Sequence, residues 1–160
     1  MVPMKAITLR HPWPFAIINL GKRIENRTWA PSLRIGEKFA IHGGKFPVQP
    51  DGICKGAANQ EYWDDIHETL RSLAQGGLID GAMKVTIRML QETVGICAVA
   101  TYGGTVRESD SPWFCGPVGW VITDVLALPA AVPCRGAQGL WDVPADALEK
   151  MRAQFARPAR

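Results

Sequence analysis

The densest run of chemically capable side chains is Gly21-Lys22-Arg23-Ile24-Glu25-Asn26-Arg27. Read as a strand, it places Arg23, Glu25 and Arg27 on one face and Lys22, Ile24 and Asn26 on the other. A run this polar is poor in strand formers, so a recognition role explains it better than stability does. Arginine and lysine here suit an anion or the carbonyl edge of a polar ring. A lysine beside a carboxylate and apolar walls could also act as a base if desolvation lowers its pKa. The structural alternative is a surface strand laced with weak ion pairs.

His42 closes the Lys38–His42 run beside Gly43-Gly44. It reads as a hydrogen-bond partner in a pocket, with glycines that let a ligand approach the backbone, or as a strand-end histidine bonded to a turn. Of six tryptophans, Trp13, Trp29 and Trp120 fall near the polar run in sequence or in the expected sheet. An aromatic face beside basic residues can stack a base. Each could equally be core with a satisfied indole N–H. Trp63, at helical spacing, is assigned to the core.

Other chemistries find no motif. The chain has no phosphate-binding Gly-rich loop, no H-E-x-x-H and no G-x-S-x-G. The cysteines Cys54, Cys97, Cys115 and Cys134 form no C-x-x-C, and His11, His42 and His67 are scattered, so neither a metal nor another cofactor is expected. Cys97 sits in an apolar run and reads as core.

The elements that must position these residues come from the hydrophobic pattern. Lys5–Arg10 alternates as a first strand, and a helix starting at Pro12-Trp13 carries Ala16, Ile17 and Leu20, with Gly21 past its end. Residues 23–29 and 38–42 are further strands. Residues 46–58 are a Pro- and Gly-rich loop. A helix capped by Asn59 aligns Tyr62, Ile66, Leu70 and Leu73 until Gly76-Gly77 stops it. Residues 81–92 give a second helix with Met83, Ile87 and Leu90 in step. The run 94–102 is a buried strand ended by Gly103-Gly104, and 117–125 and 126–132 are two more strands, interrupted by Asp124 and Pro129. Residues 136–144 form a Gly-rich loop with Trp141, residues 145–155 form a closing helix, and 156–160 fray. The fold class is α+β: a small, partly open β-barrel with flanking helices and a largely helical insertion at about 46–92.

The chain has 160 residues, 47% hydrophobic and 21% charged, which predicts one globular domain spanning residues 1–160. No apolar run nears the roughly 20 residues of a membrane helix, and Met1–Lys5 lacks a secretory apolar core, so a cytoplasmic protein without a membrane partner is expected. Net charge is +3, but residues 1–50 carry eight basic residues against Glu25 and Glu37, a local +6. That asymmetry suits a polyanionic partner.

Together, Ile7-Thr8-Leu9-Arg10-His11-Pro12-Trp13, Gly21 to Trp29, Ile41-His42-Gly43, Gly95-Ile96, Gly119-Trp120 and Gly139 to Pro144 resemble the ASCH domain family of the PUA-like superfamily. The resemblance spans roughly residues 4–145 and is weakest over 46–92. It implies a barrel with a cleft between the first helix and the strands that binds a nucleic acid, RNA ahead of DNA, or a modified nucleoside. Carried over residue by residue, it implies that Lys22, Glu25, Asn26 and Arg27 line that cleft. His42 matches the family's strand-end histidine. Pro12, Trp13, Trp29 and Trp120 complete the ligand-binding set expected from the two readings together.

One branch of small family members looks like amidohydrolases of acetylcytidine, with a lysine, a threonine three residues on, and a later glutamate. Here Lys22 matches the lysine, Glu25 stands in place of the threonine, and Glu92 or Glu108 falls in the region of the glutamate. Binding therefore ranks first. In the hydrolase alternative Lys22 is the base, Glu25 orients or shuttles a proton, and Asn26 or a backbone N–H holds the oxyanion. A third reading makes Tyr62 and Trp63 a protein-contact surface.

Overall fold

Phe39 to Gly43 are all buried, the pattern of a strand covered on both faces, and this strand sits inside the sheet. The structure is a computed structural model and describes residues 3–80 and 83–156. Its elements in chain order are β1 (Lys5–Leu9), α1 (Trp13–Asn19), β2 (Ile24–Arg27), β3 (Lys38–Gly43), α2 (Ala57–Gln75), α3 (Ile87–Gln91), β4 (Gly95–Val106), β5 (Val118–Val132), β6 (Leu140–Asp142) and α4 (Ala145–Ala153). The six strands form one sheet in the order β2-β5-β4-β3-β1-β6, curled into a half-barrel. β1 and β3 run parallel, and their connection passes through α1 and β2. The other neighbouring pairs are antiparallel.

Strand alternation divides the core. Ile7, Leu9, Phe39, Ile41 and Trp120 pack with Ile17 of α1 in one cluster. Ala6, Ala40 and Ile96 face the opposite way and pack under Leu148 and Met151 of α4. Each fully buried Ile or Phe stabilises the fold by roughly 1.5–3 kcal/mol. Phe15, Ile66 and Leu90 make a third cluster, which fastens α2 and α3 to α1.

Several boundaries differ from the sequence pattern. β4 does not end at Gly103-Gly104 but runs on to Val106 across a register irregularity between Tyr102 and Thr105. A Cβ on Gly103 would lie 2.5 Å from Thr123 Cγ2, so this glycine allows close strand approach rather than ending the strand. β5 is one strand, and Pro129 is tolerated because β5 leaves register with β4 between Ala127 and Val132. The Gly-rich segment 136–144 contains β6, which pairs with β1. α2 begins after Gly56, and Asn59 instead donates from Nδ2 to the Lys55 carbonyl.

The second helix of the insertion is short. Thr86 caps it by accepting from the Met89 N–H, and Met83 stays outside it and exposed. Residues 81–82 of the expected helix and 157–160 of the expected frayed end lie outside the described residues. Tyr62 and Trp63 are half-buried against the third cluster instead of forming an exposed contact surface. No helix among the described residues is long and apolar enough to cross a membrane.

Candidate functional site: a basic cleft at the strand ends

β2 starts at Ile24, so Lys22 lies before the strand and escapes its alternation. Its side chain turns to the same side as Glu25. Lys22 Nζ donates to the Ile24 carbonyl and to Glu25 Oε2, the latter at 3.2 Å. Glu25 Oε1 accepts from Arg27 Nε at 3.2 Å, and Arg27 Nη2 donates to the Thr8 carbonyl at 3.2 Å. The ammonium also sits 5.5 Å from the centroid of the Trp13 ring. Lys22 is 2% exposed and Glu25 6%. Two cations share one buried carboxylate, and only Arg27 carries the surplus charge outward, with 26% of its side chain accessible.

Arg27 opens into a cleft of about 1070 Å³. It is lined by Thr8, His42 and residues 43–45, by Trp29 and residues 94–95, and by the 133–139 loop. Its charged lining residues are Arg27, Lys45 and Arg135, and no carboxylate lines it among the described residues. This cleft lies between the strand ends and the 133–139 loop, and a smaller depression of about 560 Å³ lies between α1 and β4/β5. Lys45, Arg135 and Thr8 were not among the site residues expected from sequence. The Gly-rich 136–139 stretch next to Arg135 was the available signal for that wall.

Three of the residues expected from sequence line this cleft: Arg27, Trp29 and His42. Lys22 and Glu25 stand behind Arg27. Asn26 points elsewhere: its Oδ1 accepts from the Cys115 and Gly116 N–H groups and its Nδ2 donates to the Trp113 carbonyl, which fixes the 113–116 turn. Trp120 is 0% exposed, so its ring offers no face to a ligand. Its Nε1 donates to the Trp29 carbonyl at 2.9 Å, and its ring meets Trp29 edge-on at 5.0 Å, which sets the cleft's aromatic wall. Pro12 is buried, and Trp13 borders a separate depression of about 470 Å³ against α2.

The hydrogen bonds around His42 define its protonation. His42 Nε2 lies 2.7 Å from the Cys134 carbonyl, which can only accept, so Nε2 carries the proton. Trp141 Nε1 donates to Thr8 Oγ1, whose hydroxyl donates in turn to His42 Nδ1 at 3.1 Å. A Cβ on Gly136 would sit 2.5 Å from Thr8 Oγ1 and 2.8 Å from His42 Cε1, so glycine lets the 133–139 loop close on this network. His11 shares only the first of these bonds, with Nε2–H donating to the Gly44 carbonyl at 2.8 Å, while the Thr93 hydroxyl near its Nδ1 donates to the Leu90 carbonyl. Both loop walls of the cleft are thus pinned by an imidazole N–H.

Burial holds both imidazoles below the usual histidine pKa. For His11 the Gly44 carbonyl opposes that shift and His42 adds to it; for His42 the Cys134 carbonyl opposes it. Unfolded histidines titrate near 6.5. Below that pH the unfolded chain binds more protons than the folded one, so folding stability is fully present above about 6.5 and declines as the solution is acidified towards the folded pKa values. Imidazole proton NMR should show both residues titrating below about 6.5. A midpoint at or above that value for either would remove its share of the acid sensitivity. Burial also pushes the Cys97 thiol up to about 12, which leaves it inert at neutral pH.

Among the described residues no group of three His, Cys, Asp or Glu side chains could hold a metal ion. The chain matches no protein-family model, and a search of curated proteins finds no match.

Proposed function

We propose that this chain is an ASCH-type, PUA-like domain that binds single-stranded nucleic acid, RNA ahead of DNA, in the cleft between the strand ends and the 133–139 loop. The carrying observation is the cleft lining: three cations and a tryptophan, with no carboxylate among the described residues. Its volume of about 1070 Å³ is slightly above the roughly 300–1000 Å³ typical of small-ligand sites and accommodates a nucleotide. Strand-binding grooves combine cations that follow the phosphates with aromatic rings that stack the bases. Lys45 and Arg135 supply exposed cations, and Trp29 supplies a ring held by Trp120.

Fluorescence anisotropy with a labelled oligouridine tests this reading, with the matching DNA as a second arm. If Lys45 and Arg135 meet phosphate, log K should fall with log salt at a slope of about −1.4. A slope near zero, or no binding, would remove the electrostatic basis of the proposal. The pair that hydrolase chemistry requires, Lys22 and Glu25, is satisfied internally behind the cleft. Turnover of an acylated cytidine that is lost in Lys22→Ala while the fold survives would overturn binding as the primary role.

A further inference from the structure

We infer that Arg27 and Trp29 make the cleft selective for guanine. The inference rests on the nucleic-acid reading above and adds which base is read, and by what. A guanidinium has five N–H donors. In Arg27 the Nε donor is engaged by Glu25 Oε1 and one Nη2 donor by the Thr8 carbonyl. The remaining three, both on Nη1 and one on Nη2, meet no protein acceptor among the described residues. They belong to a side chain that lines the cleft and is 26% accessible.

The fork does not swing freely. Glu25 anchors it at Nε, Glu25 is itself held by Lys22, and the Thr8 carbonyl anchors Nη2. A fork fixed in advance loses little conformational freedom on binding, which favours a partner with two acceptors at fixed spacing. Guanine presents O6 and N7 side by side, whereas adenine sets the N6 donor next to N7. Uracil offers isolated carbonyls. Cytosine pairs N3 with O2, but its single ring covers less of the Trp29 face than a purine does. Phosphate also fits such a fork. In this cleft Lys45 and Arg135 are exposed cations whose side chains have no protein partner among the described residues, so they are the ones free to follow the backbone.

The test uses the full chain and labelled oligouridines that carry a single central G, A, C or U. Wild type should bind the G-containing strand at least about tenfold more tightly than the A- and U-containing strands. Arg27→Lys keeps the charge but loses the fork, so it should keep the salt slope and flatten the base preference. Trp29→Leu should weaken every strand, and the G-containing strand most. Equal wild-type affinity for all four strands overturns the inference while leaving the binding reading intact. A preference for C overturns it too, as does an Arg27→Gln variant that weakens all strands uniformly and lowers the salt slope by about one, the mark of a phosphate contact. Failure to bind any strand overturns the binding reading as well. The wild-type comparison requires no variant to fold.

Discussion

Glu25→Ala is expected to destabilise the protein by about 3–5 kcal/mol, measured by urea unfolding. The carboxylate is 6% exposed and is shared by Lys22 and Arg27, so its removal leaves an ammonium that is 2% exposed, with the Ile24 carbonyl and the Trp13 ring as its remaining partners among the described residues. Most of the loss is the uncompensated burial of that charge, not the worth of the ion pair. Lys22→Met combined with Glu25→Leu removes both buried charges together and should cost markedly less than Glu25→Ala alone. Arg27 can then relax into solvent through its accessible side. If Glu25→Ala instead stays within about 1 kcal/mol of wild type, the pair behaves as a surface pair in contact with water. Lys22 would then be available for proton transfer, which the hydrolase alternative needs.

The same triad shows why the sequence displayed some of the site and concealed the rest. The GKRIENR run stood out because its composition clashes with a strand. Which of its side chains reach the cleft depended on where β2 begins, and alternation misassigns Lys22 because that residue precedes Ile24. The Lys38–His42 strand was legible as a short apolar run closed by Gly43-Gly44, and the face of α2 because its apolar residues recur at a period of about 3.6. The cleft was not legible because its walls come from distant segments. His42 meets Thr8 across 34 positions and Cys134 across 92. Trp120 looked like a stacking ring and is core, since Glu25 and Thr105 flank it on the neighbouring strands and the half-barrel closes over its face. The break expected at Gly103-Gly104 failed for a related reason. Glycine marks both strand ends and tight strand crossings, and only the tertiary neighbour Thr123 distinguishes them.

Gly43-Gly44 puts that distinction to a direct test, because the two glycines should respond very differently to one added methyl group. A Cβ on Gly43 would lie 1.8 Å from the Thr93 carbonyl oxygen and 2.9 Å from its carbon, with His11 Cε1 at 3.1 Å. Gly43 cannot shift to relieve this, because it pairs with Leu9 on one side and Gly95 on the other. Thr93 cannot easily move away either, since its backbone N–H and its hydroxyl both donate to the Leu90 carbonyl at the end of α3. Gly43→Ala is therefore expected to cost about 3 kcal/mol or more, at or above the usual limit for an overpacked core. At Gly44 the added atom would meet only Thr8 Cγ2 at 3.4 Å and the Leu9 carbonyl oxygen at 3.6 Å, ordinary van der Waals contact. Gly44→Ala should change stability by no more than about 0.5 kcal/mol. Since Gly44 also lines the cleft, its methyl would instead test how closely a ligand approaches the backbone there. Equal thermal unfolding midpoints for the two variants would mean that the Thr93 carbonyl does not rest on β3.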